Sequence, residues 1–135
     1  MTAPAFEAVV RGRLIAALRA DAALGAAING VFEPGEPGLT PPYAIAGPVG
    51  AGDWGTKDCA GRELTLTLSA VSAERGGDEA AQLGGLLSAA ALGIARDGDG
   101  VTIATIRLRK SLLRRTRAGD WEVVIDLRVR ALALP

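Results

Sequence analysis

The residues of this chain best able to do chemistry are few, and each lacks the company its chemistry needs. The sequence has 135 residues and no histidine. That removes Ser-His-Asp and Cys-His nucleophile pairs, histidine general bases and histidine metal ligands in one step. Cys59 is the single cysteine, so it can close no intrachain disulfide, and its thiol has no imidazole to activate it. The run Gly50-Ala51-Gly52-Asp53-Trp54-Gly55 matches the G-x-G-x-x-G spacing. A dinucleotide site needs that run between a strand and a helix, because the helix N-terminus holds the pyrophosphate. Here a strand pattern follows, and no kinase-type catalytic or metal-binding segment comes later. The run therefore reads as a flexible hairpin loop. Asp97-Gly98-Asp99-Gly100 begins like a calcium loop, but Val101 stands at the third ligand position and no glutamate closes the loop at the needed spacing. It reads as a turn. Carboxylates alone, Asp53 with Asp58, are the one enzymatic arrangement left open. No catalytic, cofactor-binding or metal-ligating residue is assigned, no cofactor is expected, and the chain reads as no enzyme.

Two groups suit contact better than catalysis. Arg107, Arg109, Lys110, Arg114, Arg115 and Arg117 form a basic run on an expected strand. Three uses of such a run stay open: a solvated edge that discourages unwanted strand pairing, a protein contact patch, or nucleic-acid binding. The last lacks the interleaved aromatics that stack on bases. Trp54 lies in the loop with Asp53, Lys57 and Asp58. It either folds back on the core or serves as an interface anchor, since tryptophan carries a large apolar area into a partner pocket.

The elements that must position these groups follow from periodicity. Phe6, Val10, Leu14 and Leu18 recur every four residues, which predicts an amphipathic helix over residues 4–19. Asp21 caps a short helix over 22–28, ended by Asn29-Gly30. A short strand at 31–33 leads to an exposed loop at 34–42 with Pro34, Pro37, Pro41 and Pro42. Residues 43–49 read as a strand limited by Pro48, and 50–61 as a glycine-rich loop. Leu64, Leu66, Leu68 and Ala70 alternate with polar residues in a strand over 62–73. Asp78 and Glu79 open a second long helix, where carboxylates suit the positive end of the helix dipole. Its apolar face is Leu83, Leu86, Leu87, Ala90 and Ile94, and it should end near Arg96. Val101 and Ile103 share one phase and Ile106 and Leu108 the other, so a bulge belongs near Ala104 and Thr105. Residues 101–117 and 120–133 then form a long hairpin, its second strand carried by Trp121, Val123, Ile125, Leu127, Val129 and Ala131. The fold class is α+β: a mainly antiparallel sheet with a long C-terminal hairpin and two main helices packed on one face, in a single domain over 1–135.

Composition agrees. Apolar residues make up 49 %, enough for one core, while aromatics make up 4 %, so the core is built of Leu, Val, Ile and Ala. Abundant Ala, Gly and Arg with only two lysines suggests a GC-rich bacterial or phage genome. The longest apolar stretch, residues 86–95, is too short for a membrane span, which needs roughly twenty residues. A soluble chain made in the bacterial cytoplasm, with no membrane partner, is expected. Residues 1–100 hold 7 basic and 12 acidic residues, and residues 101–135 hold 8 and 3, counted from the sequence. Opposite patches of this kind would help copies meet head to tail.

The order of segments resembles a known family. An N-terminal amphipathic helix leads into Ala22-Ala23-Leu24, Asn29-Gly30-Val31-Phe32 and Pro42-Tyr43-Ala44-Ile45, then Asp53-Trp54-Gly55-Thr56-Lys57-Asp58 and Gly61-Arg62-Glu63. A helix and a terminal hairpin close the chain. This resembles the phage tail-terminator or tail-completion family, and the composition is similar to the version in gene transfer agents of alphaproteobacteria, which are domesticated phage-like particles. The resemblance implies a structural protein of the tail or neck. Members form a ring, usually of six subunits, on the last ring of the tail tube, stop its growth and meet the head connector. It also implies as partners other copies of the chain, the tail tube protein and the connector or stopper, with DNA passing through the lumen unbound. Asp53, Trp54, Lys57, Asp58, Arg107, Arg109, Arg114, Arg115 and Arg117 are the expected contact residues. Two other roles remain open: a head–tail connector or neck protein, and a free-standing ligand-binding α+β domain with an apolar pocket.

Overall fold

A computed structural model describes residues 4–134. Helix α1 (Phe6–Ala20) buries Phe6, Val10, Leu14 and Leu18, the residues whose four-residue spacing defines its apolar stripe. Asp21 ends it and caps α2 (Ala22–Ala27), its carboxylate accepting the Leu24 amide at 2.9 Å. Then follow β1 (Val31–Phe32), β2 (Tyr43–Asp53), β3 (Gly61–Val71), α3 (Asp78–Ala91), β4 (Asp97–Gly98), β5 (Val101–Arg115) and β6 (Trp121–Ala133). The described residues form one six-stranded sheet in the order β1-β2-β3-β6-β5-β4, antiparallel except for the short β1–β2 pair. This is the expected α+β arrangement.

The core lies between the sheet and the helices. Leu64, Leu66, Leu68 and Ala70 of β3 stand opposite Val129, Leu127, Ile125 and Val123 of β6, so their side chains share one face. All are buried, in one cluster with the α1 stripe and with Leu83, Leu87, Ala90 and Ile94. Each such leucine contributes about 1.5–3 kcal/mol of apolar transfer. Gly84 sets the helix–sheet distance: a Cβ there would stand 2.9 Å from Val123 Cγ2. Before α3, the Glu79 carboxylate accepts the Ser72 hydroxyl at 2.6 Å and the Ala73 amide at 2.9 Å. The Ser72 hydrogen bond above all holds that carboxyl below its ordinary range.

The larger differences from the sequence-based expectation are in β2, α3, the 97–100 turn and β5. Strand β2 continues through Asp53, so the expected loop over 50–61 shrinks to 54–60. Pro48 falls within the register shift between Ala46 and Val49, where its missing amide proton breaks no ladder bond, and pairing resumes with Gly50 on Thr65 and Gly52 on Glu63. Helix α3 stops at Ala91 and not near Arg96, because Leu92 and Gly93 turn their amides back to Ser88 and Ala90. Ile94 then drops into the core. The 97–100 turn is a small hairpin: β4 pairs with Val101 and Thr102, and Asp99 and Gly100 both take positive φ. Strand β5 carries the expected bulge between Ile103 and Thr105 and a second between Leu108 and Lys110. Among the described residues no helix is long and apolar enough to cross a membrane.

Candidate functional site

Two opposite corners of the sheet hold the residues singled out above. The first is the β2–β3 connection. Asp53 Oδ1 accepts the Gly55 amide at 3.3 Å and lies 3.6 Å from Arg62 Nη1. The Trp54 amide bonds the Gly61 carbonyl at 3.2 Å and the Thr56 amide the Cys59 carbonyl at 2.8 Å, which folds the loop back on itself. Lys57 and Asp58 stand exposed at its tip. Trp54 is outside the core cluster and half-buried, with the Arg130 guanidinium 5.3 Å above its ring. Cys59 Sγ faces the Ala60 and Ala133 carbonyls at 3.6 Å. Among the described residues no group of three or more Cys, Asp or Glu side chains is placed to hold a metal.

The second corner is the far half of β5. Beyond Ile103, whose amide bonds the Arg96 carbonyl at 2.7 Å, the outer edge of β5 over residues 104–115 has no described strand beside it. Arg114 Nε pairs with Glu122 at 2.8 Å. Arg115 lies 4.9 Å over the Trp121 ring and donates to the Gly119 carbonyl at 3.3 Å. Arg107, Arg109, Lys110 and Arg117 make no ion pair among the described residues. Between the cations, Leu108, Leu112 and Leu113 are 49 %, 43 % and 41 % exposed. Large apolar side chains thus stand exposed among cations along an edge with no described strand beside it.

The structure does not bring the two groups together. The register runs Asp53–Arg62–Ala131–Ile103 across one end of the sheet and Tyr43–Val71–Glu122–Arg114 across the other. The loop thus lies at the end opposite Arg114, with β3 and β6 between the two edges.

A third group was not singled out from sequence. On the face without helices, Glu63 of β3 stands opposite Arg130, and Thr65 opposite Arg128, which itself stands opposite Arg107 of β5. Arg130 Nε donates to Glu63 Oε2 at 2.9 Å, and Arg128 Nε is buried without a hydrogen bond, 3.6 Å from Glu63 Oε1. The Arg130 hydrogen bond, then the charges of Arg128, Arg130 and Arg109, hold the Glu63 carboxyl below its ordinary range. One carboxylate thus serves several arginines, and this part of the open face keeps surplus positive charge. The polar positions of the two clearest alternating strands carried the signal; only the pairing of β3 with β6 makes them neighbours.

Known proteins now give this geometry its context. The fold is similar to that of a chain in the structure titled virion of native gene transfer agent (GTA) particle, with a TM-score of 0.74, 20 % identity, and coverage of 91 % of this chain and 94 % of that one. No curated protein sequence matches the chain. The family profile described as Tail completion protein gp17 matches residues 12–133, and over that span the chain belongs to the tail completion protein family, structural proteins of phage-like tails.

Proposed function

We propose that this chain is the ring subunit that ends the tail tube of a phage-like particle and joins the tube to the head. Family membership over residues 12–133 is the observation that carries the reading. Its finer parts rest on the family resemblance: a ring of six copies, the tail tube protein on one side, the head–tail connector or stopper on the other, and DNA passing through without specific binding. The chain is made in the cytoplasm, works in the tail or neck of the particle, and does so without catalysis.

The layout of the surface supports this. A closed ring of identical subunits in head-to-tail contact needs two different, complementary patches on each subunit. The molecule has two unlike sheet edges. One is small and flexible in composition, with Gly50, Gly52, Asp53 and the loop bearing Trp54, Lys57 and Asp58. The other is apolar and cationic, with Arg107, Arg109, Arg114, Arg115 and, in the turn beyond, Arg117. We assign both groups to protein contacts.

Electron microscopy of particles made without this gene tests the reading. Full heads lying free beside overlong or ragged tails are expected. Normal, joined particles overturn it. Tails of normal length beside free heads would overturn the terminator role in favour of a connector role.

A further inference from the structure

The four long strands alternate in direction in the order β2, β3, β6, β5. An even number has a consequence for any ring. For strands that run along the ring axis, a cyclic operator leaves strand direction unchanged from one copy to the next, so the β5 of one copy and the β2 of its neighbour run antiparallel. The alternation continues across the junction, and both edges vanish in one closed sheet.

We infer that a second copy of this chain occupies the open edge of β5 with its β2, and that residues 49–53 of β2 pair with residues 106–111 of β5. The inference rests on the ring reading and names the surfaces that close it. Each edge is open only in part. On β2, β1 covers Ala44 and Ile45, and Arg11 donates to the Ala46 and Gly47 carbonyls at 2.8 and 3.3 Å. This leaves 49–53. On β5, β4 covers residues 101 and 102, which leaves the edge beyond Ile103. Within one copy Asp53 is level with Ile103, through Arg62 and Ala131. Extending each rung unshifted into the next copy would drive the neighbour's Asp53 against the end of β4, beside Asp97.

A shift of two rungs clears β4 and keeps every side chain on its own face. Asp53 then stands opposite Ile106, clear of the end of β4. Gly52 faces Arg107, Ala51 faces Leu108, Gly50 faces Lys110 across the second bulge, and Val49 faces Ser111. A Cβ at Gly50 or Gly52 would meet nothing within 4 Å, so these positions have room for the long cationic side chains. Exposed Leu108 gains an apolar neighbour. Clearance of β4 and side-chain size therefore select the same register.

Disulfide trapping in whole particles tests this register. On a Cys59→Ser background, Gly52→Cys is combined with Arg107→Cys, and separately Gly50→Cys with Lys110→Cys, each pair sharing the helix-free face. Mild oxidation is expected to give a ladder on non-reducing gels that ends at the number of chains in the ring. Gly52→Cys with Leu113→Cys, on opposite faces, should give none. Particles with joined, normal tails but no ladder from either matched pair overturn the inference and leave the ring reading standing. Efficient dimers from Arg107→Cys alone overturn it too, because they mean β5 pairs with itself. Loss of the ring reading shows separately, as normal particles when the gene is deleted.

Discussion

Strands β5 and β6 are partners in one hairpin, both rich in apolar residues, yet they live in different environments. In β6, Val123, Ile125, Leu127, Val129 and Ala131 are all buried, with β3 on one side, β5 on the other and helices above. In β5 only Val101 and Ile103 are buried, Ile106 is half-buried, and from Arg107 to Arg115 every residue is exposed. Apolar alternation makes a strand, but burial requires a second strand neighbour and a helix overhead. Where both stop, Leu108, Leu112 and Leu113 are left in water.

Leu127 and Leu108 test this most directly, because they stand opposite each other on the same face. Leu127→Ala should cost about 2–5 kcal/mol in urea unfolding, the range for a leucine removed from a packed core. Leu108→Ala should cost about 1 kcal/mol or less, since it already faces water in the isolated chain. Equal losses would break the comparison and place the far half of β5 in the core.

The helix above β6 offers a second, smaller test. At Gly84 a Cβ would press on Val123, a side chain branched at its Cβ and unable to swing away, whereas at Gly85 it would meet nothing within 4 Å. Gly84→Ala should therefore destabilise by about 1–3 kcal/mol through overpacking. Gly85→Ala should stabilise by up to about 1 kcal/mol through helix propensity. Thermal unfolding of the two variants should move in opposite directions. Movement in the same direction would mean that α3 does not rest on β6 through Gly84.

How much of this was legible in the sequence depends on which residues had a phase to show. The α1 stripe and the alternation of β3 and β6 were legible, because burial on one face forces a period of four or two. The bulge near Ala104 was legible too, because apolar residues on both sides of it switch phase. The second bulge, at Arg109, was not: it lies in a stretch exposed on both faces, where leucines and arginines carry no phase. The extension of β2 through Gly50-Ala51-Gly52-Asp53 was hidden for a related reason. That segment is a strand through its backbone bonds to β3, and its side chains are too small to register a pattern. The residue types of the two expected contact groups could be read, but their separation to opposite corners could not. Strand order is a long-range property, and it alone sets β2 and β5 on opposite edges and brings Thr65, Arg128 and Arg107 into one row, with Glu63 beside it.

That row supplies the smallest and sharpest test. Arg107 of β5 stands directly opposite Arg128 of β6, and like charges in that position destabilise a strand pair. A substitution that reverses one of them should help the isolated fold. Arg107→Glu is expected to raise the unfolding free energy of the free chain, read in urea, by about 0.2–1 kcal/mol. If the side chain is kept for a neighbour's β2 edge, where Gly52 leaves it room, the same substitution should lower the yield of particles with joined heads and tails. The two readouts then separate, with the chain more stable and the assembly weaker. A loss of both would mean that Arg107 serves the hairpin itself, and the division between a strand for folding and a strand for contact would no longer hold at this residue.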